Sequence, residues 1–514
     1  MTIAKIKRYN IYSCMGIDIN QKQLCFDPAK IRACDINNLN PDYIFISHES
    51  MDHMDPAQVY TLQKRKNCPI FCSFAAAIDL MQFFPYDSEF LHNIHVMLPG
   101  SRMTYDNLVI ETEKSIHCDY MFPVVFKVSL INENISILHC FDTLISEDII
   151  NFSNGTDLAI IPIGIAKGVS SNTGLEFVEK LHSKKFLTNH LKTSQDLKDF
   201  ENVYHSKKPC YFIDWNESCA VCFAPSNDYK SYTVQDNVLS MISNFNSSKC
   251  SLDSVLLDSM FKSYKDLNTK DKINLIVLYT LVAVFDSKLI KKDIISEIVR
   301  DLSLSTNENN NIGTVILLFL SVYSQQHATT VITLSHIVKL VDKSSEHLTY
   351  WVVQYFGRCI VADKDNSDIL TAFLDVIDIP DIYNSVIVRR QIFWEFLRIM
   401  KTIPSATTHF SKYFDDGLTD SNPDVRLLAL LCFSLADRFT AITDSQLDKI
   451  FELLKDDEDD VRETAVKVAR SFTNTTYILR HKEQLFALLD DANCHVKHEA
   501  HLTKSKIDRL IAND

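Results

Sequence analysis

Glycine is scarce, with nine residues in 514. No glycine-rich loop of the phosphate-cradling kind occurs, and each glycine present is expected to mark a tight backbone position. Long apolar runs are also missing. The most apolar stretch, INLIVLYTLVAVF at 273–285, has the length of a buried helix and falls short of a membrane span. The first residues, MTIAKIKRYNIYS, lack the apolar centre of a secretory leader. Positive charge is not in excess: 52 basic against 66 acidic residues give a net charge of −14. The deficit is shared, with 22 basic and 28 acidic residues in 1–250, and 30 and 38 in 251–514. Neither half is a basic nucleic-acid platform in bulk. The 14 cysteines have no regular spacing. That argues against a disulfide scaffold and for a reducing, cytoplasmic setting.

What remains is a globular chain, 46% apolar, too long for one ordinary core. Residues 1–225 read as short strands rich in Ile, Val, Phe and Tyr: 41–47, 68–73, 107–112, 122–130, 135–140, 157–164, 184–189 and 211–215. Helical stretches at 56–65, 75–84 and 173–183 lie between them, an α/β pattern. Residues 226–250 are polar and weakly periodic, and read as a connector. From 251 to 514 strand signals stop and amphipathic helical segments follow one another.

Near the end a repeat emerges. Val425, Val461 and Val496 align, and Ala429, Ala465 and Ala500 align with them at the same offsets of 36 and 35. Leucine-rich helices, 447–456 and 482–491, precede the second and third units. Self-similarity with two helices per unit is the signature of a solenoid, and the D-V-R-x-x-A element resembles HEAT repeats. The acidic run Asp456–Asp460 reads as a solvated turn carrying the next helix's cap.

The chemistry concentrates in the first half. The segment IFISHESMDHMDP, 44–56, packs His48, Asp52 and His53 onto the loop after a strand. Asp55, Pro56 and Gln58 supply a helix cap, a first-turn proline and a capping-box partner. The cluster therefore stands at the carboxyl end of a strand, where α/β ligand sites form. His117, His139, Asp142, Asp157 and His190 recur at other strand ends.

These residues resemble the metallo-β-lactamase fold, in particular its L-ascorbate-lactonase-like branch. The family's H-x-H-x-D-H is matched by His48-Glu49-Ser50-Met51-Asp52-His53, its strand ending in Asp-Pro by CFDPAK (25–30), and its next histidine by His117. Its Gly-Asp-Thr is matched by Phe141-Asp142-Thr143, its Asp-strand-Pro-x-Gly by Asp157 to Gly164, and its last histidine by His190. The resemblance implies an αββα sandwich with a metal site at one edge, followed here by the all-α HEAT-like solenoid. It implies metal ligands His48, Asp52, His53, His117, Asp142 and His190, with Asp52 and Asp142 in catalytic roles. Imidazole and carboxylate suit zinc or manganese.

Two positions depart from the pattern. Ser50 replaces the second histidine, so one ion at Asp52, His53, Asp142 and His190 is favoured over a pair. Phe141 replaces the glycine, placing bulk beside the bridging aspartate that would narrow the substrate space or shift the carboxylate. Lesser features weigh against function: Cys219-x-x-Cys222 has no second pair at zinc-finger spacing and reads as a buried strand, and His92 and His95 read as surface or core histidines. His139 reads as a packed neighbour, and Glu49 and Asp119 read as loop carboxylates. The expected activity is metal-dependent hydrolysis of an ester, lactone or phosphodiester, with the repeats binding a protein partner. The alternative is an inactive scaffold or sensor. No membrane contact is expected, and nucleic acid is not the expected substrate.

Overall fold

A computed structural model describes residues 2–513 apart from 11, 85, 118–121, 165–170, 192–193, 215–216, 224–241, 243–259, 262–263, 305–310, 328–345, 438–442 and 473. The chain divides into two compact units, Met1–Met260 and Phe261–Asp514. Of the expected connector 226–250, all but residue 242 lies outside the described residues.

The first unit holds two seven-stranded sheets. One contains β1 (Thr2–Arg8), β2 (Met15–Ile19), β3 (Lys22–Phe26), β4 (Tyr43–Ile46), β5 (Ile70–Ser73), β6 (Ile94–Met97) and, paired antiparallel to β1, β14 (Ser218–Phe223). The other contains β7 (Arg102–Tyr105), β8 (Leu108–Lys114), β9 (Val124–Leu130), β10 (Ile135–His139), β11 (Leu158–Pro162), β12 (Phe186–Asn189) and β13 (Cys210–Tyr211). Ile17, Phe26, Phe45, Phe126, Ile137 and Ile160 meet between the sheets. Leu138, Ala159 and Ile161 face outward and are covered by Phe177, Leu181 and Phe200 of flanking helices. β10 and β11 are thus buried on both faces, which is why they read as unbroken apolar runs.

The sequence pattern named most inner strands but not β1, β2, β6 or β7. β6 and β7 are only four residues long, and β1 and β7 alternate with exposed polar residues. The strand expected at 211–215 is shorter, ending at Tyr211. The helix after the His48–His53 loop runs Pro56–Lys66, and Asp55 caps it by accepting from the Ala57 and Gln58 amides. Gln58 does not complete a capping box. Its Oε1 accepts from the Ile31 amide and its Nε2 donates to the Ile31 carbonyl, both at 3.1 Å.

In the second unit one helix from each successive segment packs on the next: Thr269–Asp286, Asn311–His327, Glu346–Ala362, Val386–Thr402, Pro423–Ala436, Asp459–Ser471 and Cys494–Asn513. The aligned Val425, Val461, Val496, Ala429, Ala465 and Ala500 are all buried in this row. A ladder of ion pairs runs beside it. Arg389 Nε donates to Asp420 at 2.6 Å, Arg426 to Asp456 at 2.7 Å, and Arg462 to Asp491 at 2.9 Å. Each arginine also donates to two carbonyls just before its own helix, in a loop for Arg426 and Arg462 and at the end of the short helix Pro380–Asn384 for Arg389. Asp456 therefore belongs to the ladder, with a side chain only 6% exposed, and Asp459 is buried against Asn493. The acidic run is not the solvated turn expected, because two of its carboxylates link neighbouring units. Among the described residues no helix is long and apolar enough to cross a membrane.

Replacing Arg426 with alanine leaves the Asp456 carboxylate buried without its partner. The expected loss is about 2–4 kcal/mol for the helical unit, read as a lower urea midpoint. Arg509→Ala, near the chain's end, should leave the midpoint nearly unchanged.

Candidate metal centre

All six expected ligands stand just beyond strand ends and converge. β4 delivers Ser47 and His48, and the turn that follows delivers Asp52 and His53. His117 follows β8, Asp142 follows β10, and His190 follows β12. These strands run in the same sense within each sheet, so their carboxyl ends share one rim.

One carboxylate oxygen lies at the centre. Asp142 Oδ2 is 3.0 Å from His117 Nε2, 3.5 Å from His53 Nε2 and 4.0 Å from His48 Nε2. Beside it, Asp52 Oδ2 lies 3.5 Å from His53 Nε2 and 3.9 Å from His190 Nε2. Two sets of three donors result: His48, His117 and Asp142, and Asp52, His53 and His190. Within each set the donor atoms all lie within 4.8 Å of one another.

The donors fit a divalent cation. His53 Nε2 and His190 Nε2 face each other at 3.2 Å, an approach that a shared cation between the rings would satisfy. Asp142 Oδ1 is buried with no hydrogen-bond partner among the described residues, a costly state without a counter-charge. Mixed imidazole and carboxylate suits zinc or manganese alike.

Sequence reasoning missed how these ligands are held. Asp27, the aspartate of CFDPAK, is fully buried and accepts from the Ser47 amide at 2.8 Å, the Ser47 hydroxyl at 2.9 Å and His53 Nδ1 at 2.5 Å. This fixes the His53 tautomer and aims Nε2 at the site. The Ser47 hydroxyl also lies 2.9 Å from His48 Nδ1. The available signal was the Asp-Pro at a strand end opposite the histidine loop, but its partner could not be read from spacing.

Burial and mutual charge set the protonation states. Burial pushes the Asp27 carboxyl up to about 6, against the pull of His53. Burial opposes ionisation of Asp142, yet His53, His117 and His48 hold it well below the usual carboxylate range. Burial pushes His48 well below the ordinary imidazole value, and pushes His190 down to about 4. His53 goes the other way: burial would lower it, but Asp142, Asp52 and Asp27 raise it well above 6.5.

The two departures from the family pattern take on specific roles. Ser50 Oγ donates to Asp52 Oδ1 at 2.5 Å, so it orients a carboxylate of the other set instead of replacing the missing imidazole. Phe141 does not enter the substrate space, contrary to the expectation from its size. Its ring is buried in the inter-sheet core, stacked on His139 at 4.0 Å and near Phe126 at 6.0 Å. Its backbone has φ 54°, the left-handed conformation that makes glycine the easier residue there.

His139 is the packed neighbour expected. Its Nδ1 accepts from the Phe141 amide at 3.1 Å, and Nε2 lies 3.4 Å from Asn189 Nδ2. Asn189 Oδ1 accepts from the buried Arg8 guanidinium, which also donates to the Tyr12 carbonyl. Glu49 is half-buried beside His48, and Asp119 lies outside the described residues. Cys219 and Cys222 sit half-buried on β14, a strand expected to be buried but which exposes Ser218 and Ala220, and His95 is buried on β6, stacked on Phe71.

A cation needs the neutral His53 nitrogen, and in the metal-free protein that imidazole stays protonated past pH 6.5. Its contribution to metal-free stability is full below about pH 6.5 and is lost as pH rises through the raised value. Ion uptake at pH 7 should therefore release about one proton, measurable by calorimetry in buffers of different ionisation enthalpy. Phe141→Gly relieves about 1–2 kcal/mol of backbone strain but empties a core site worth about 3–5 kcal/mol. The expected net loss is about 1–4 kcal/mol in chemical denaturation, with metal content retained.

No protein-family model matches the chain. The chain is 25% identical over 206 residues to a UPF0173 metal-dependent hydrolase of Methylacidiphilum infernorum, covering 38% of this chain and 87% of that protein. Among solved structures it is similar to Igni18, a metallo hydrolase of Ignicoccus hospitalis, at 16% identity and TM-score 0.36, covering 43% of this chain and all of that one. It is also similar to the metallo-β-lactamase fold protein YhfI of Bacillus subtilis, at 16% identity and TM-score 0.35, with the same coverage of both chains.

Proposed function

We propose that the first unit is a metal-dependent hydrolase of the metallo-β-lactamase superfamily, acting on an ester, lactone or phosphodiester. The observation that carries this is the meeting of two three-donor sets around the Asp142 carboxylate. Similarity to a metal-dependent hydrolase over 206 residues supports it. The first ion belongs with Asp52, His53, His190 and the Asp142 oxygen, and is zinc or manganese. The second set, one imidazole short, holds its ion more weakly, so a single tightly held ion is favoured.

A bound divalent cation polarises a carbonyl or phosphoryl oxygen and makes water acidic near neutral pH. Asp142 fixes the two donor sets in register. Asp52 is 26% exposed where Asp142 is 5%. It is therefore the carboxylate that reaches the substrate water, oriented there by Ser50. Its carboxyl lies well below the usual carboxylate range against the opposing effect of burial, so it is ionised at neutral pH, as acceptance of a proton requires.

For the second unit we propose a HEAT-like solenoid that binds a protein partner. The row of stacked helices and the repeating arginine–aspartate ladder support it. Eleven described cysteines are free thiols, which suits a cytoplasmic protein.

Asp142→Ala should cost about a thousandfold or more in kcat/KM on chromogenic esters or phosphodiesters, with an unchanged far-ultraviolet spectrum. Wild-type levels of hydrolysis in that variant would refute the reading. Ser50→His restores an imidazole to the weaker set and should raise retained metal toward two ions per chain, measured by plasma mass spectrometry.

A further inference from the structure

The histidines of the metal centre are held unequally. His53 Nδ1 donates to the buried Asp27 carboxylate at 2.5 Å, and His48 Nδ1 lies 2.9 Å from the Ser47 hydroxyl. Such partners fix the tautomer of a ligating imidazole and the direction of its other nitrogen. His190 differs. Its Nε2 faces His53 Nε2 at 3.2 Å, but its Nδ1 is buried and meets no hydrogen-bond partner among the described residues. Its backbone is also left-handed, at φ 54°. At a residue other than glycine that conformation persists where surrounding structure enforces it.

Tyr12 supplies both restraints. Its carbonyl accepts from the His190 amide at 3.2 Å and from Arg8 Nη2 at 3.3 Å. The same Arg8 nitrogen donates to Asn189 Oδ1 at 3.2 Å. A closed circuit of contacts thus joins residues 8, 12, 189 and 190 and holds the strained backbone. The Tyr12 ring packs against the imidazole itself, with centres 5.8 Å apart and planes at 70°. The His190 ring is also stacked on His53 at 5.2 Å. Ring contacts, in place of a hydrogen bond at Nδ1, therefore decide how the imidazole is turned.

Tyr12 is itself fixed. It is 3% exposed. The Tyr9 amide donates to the Cys14 carbonyl at 2.9 Å, and Asn10 Oδ1 accepts from the Cys14 amide at 3.0 Å, which closes the turn that carries it. Asn10 Nδ2 anchors that turn to the Ala29 carbonyl at 2.7 Å. At the far end of the side chain, the Tyr12 hydroxyl accepts from the Lys30 ammonium at 3.1 Å.

We propose that Tyr12 is the positioning residue of His190, and that packing of its ring does for this imidazole what the Asp27 carboxylate does for His53. The assignment rests on the hydrolase reading above. It has a chemical consequence, because a carboxylate raises the basicity of the imidazole it holds and a phenol ring does not. His190 is the weaker imidazole of its set, and its grip on an ion depends on how well the ring is aimed.

Wild type, Tyr12→Phe and Tyr12→Leu all keep the backbone carbonyl, and only leucine removes the ring. Zinc affinity is measured on each by competition with a chromogenic chelator, coordination by the visible absorption of the cobalt-loaded protein, and metal-free stability by the urea midpoint. Tyr12→Leu should bind zinc about ten- to a hundredfold more weakly and show an altered cobalt spectrum. Tyr12→Phe should stay close to wild type in both. Tyr12→Met takes the place of the leucine variant if that does not fold. A purely structural role would lower the urea midpoint and leave zinc affinity and cobalt spectrum of the folded variants unchanged, and that result would overturn the proposal. Equal losses in Tyr12→Phe and Tyr12→Leu would overturn it too, by moving the effect from the ring to the hydroxyl. A zinc affinity that depends on the Tyr12 ring, in a protein that hydrolyses neither esters nor phosphodiesters, would uphold the assignment and remove the hydrolase reading. A wild type that takes up neither ion would remove both.

Discussion

The Asp142 carboxylate faces imidazoles delivered by two separate loops, and much of the first unit serves to keep it there. It follows a left-handed residue, Phe141, whose amide is held by His139 and whose ring is locked in the inter-sheet core. His139 lies against Asn189, and Asn189 accepts from Arg8. His190 follows Asn189 directly and is itself left-handed. One buried polar chain therefore spans β1, β10 and β12 and sets the positions of ligands on two of them. Burying such a chain is tolerable only because its members find partners among one another.

A second network does the same for the facing sheet. Asp27 gathers the Ser47 amide, the Ser47 hydroxyl and His53, so the end of β3 anchors the loop after β4 that carries His48 and His53. Each sheet brings a preorganised share of the donors, and packing of the sheets brings the shares into contact. This explains why losing one imidazole at Ser50 leaves the geometry standing. The serine finds work orienting Asp52, and the remaining donors are held by groups that do not depend on it.

Much of this was legible in the sequence. The six side chains that converge could be named because their order along the chain, at strand ends, follows a known pattern apart from Ser50 and Phe141. The inner strands were legible because burial on both faces leaves unbroken apolar runs. The supporting residues were not, since Arg8, Asp27 and Asn189 act through contacts between distant segments: Arg8 and Asn189 stand 181 positions apart. The fate of Phe141 was misjudged for a related reason. Size and neighbourhood pointed to the substrate, while the direction of the side chain is set by backbone conformation that spacing does not reveal. Likewise the run at Asp456–Asp460 looked solvated because the arginine partner of Asp456 lies 30 positions earlier.

The second unit repeats one device, an arginine tied to the loop before its own helix and to the aspartate before the next. It makes consecutive segments mutually dependent, as a stacked array requires. The central claim concerns the first unit: Asp142 is the residue on which metal binding turns. Its most direct test is metal content per chain of untagged protein, purified without chelator and measured by plasma mass spectrometry beside Asp142→Ala. The account predicts about one ion in the wild type, rising on addition of zinc or manganese, and close to none in the variant. A wild type without metal even after that addition, or a variant that keeps its full complement, would contradict it.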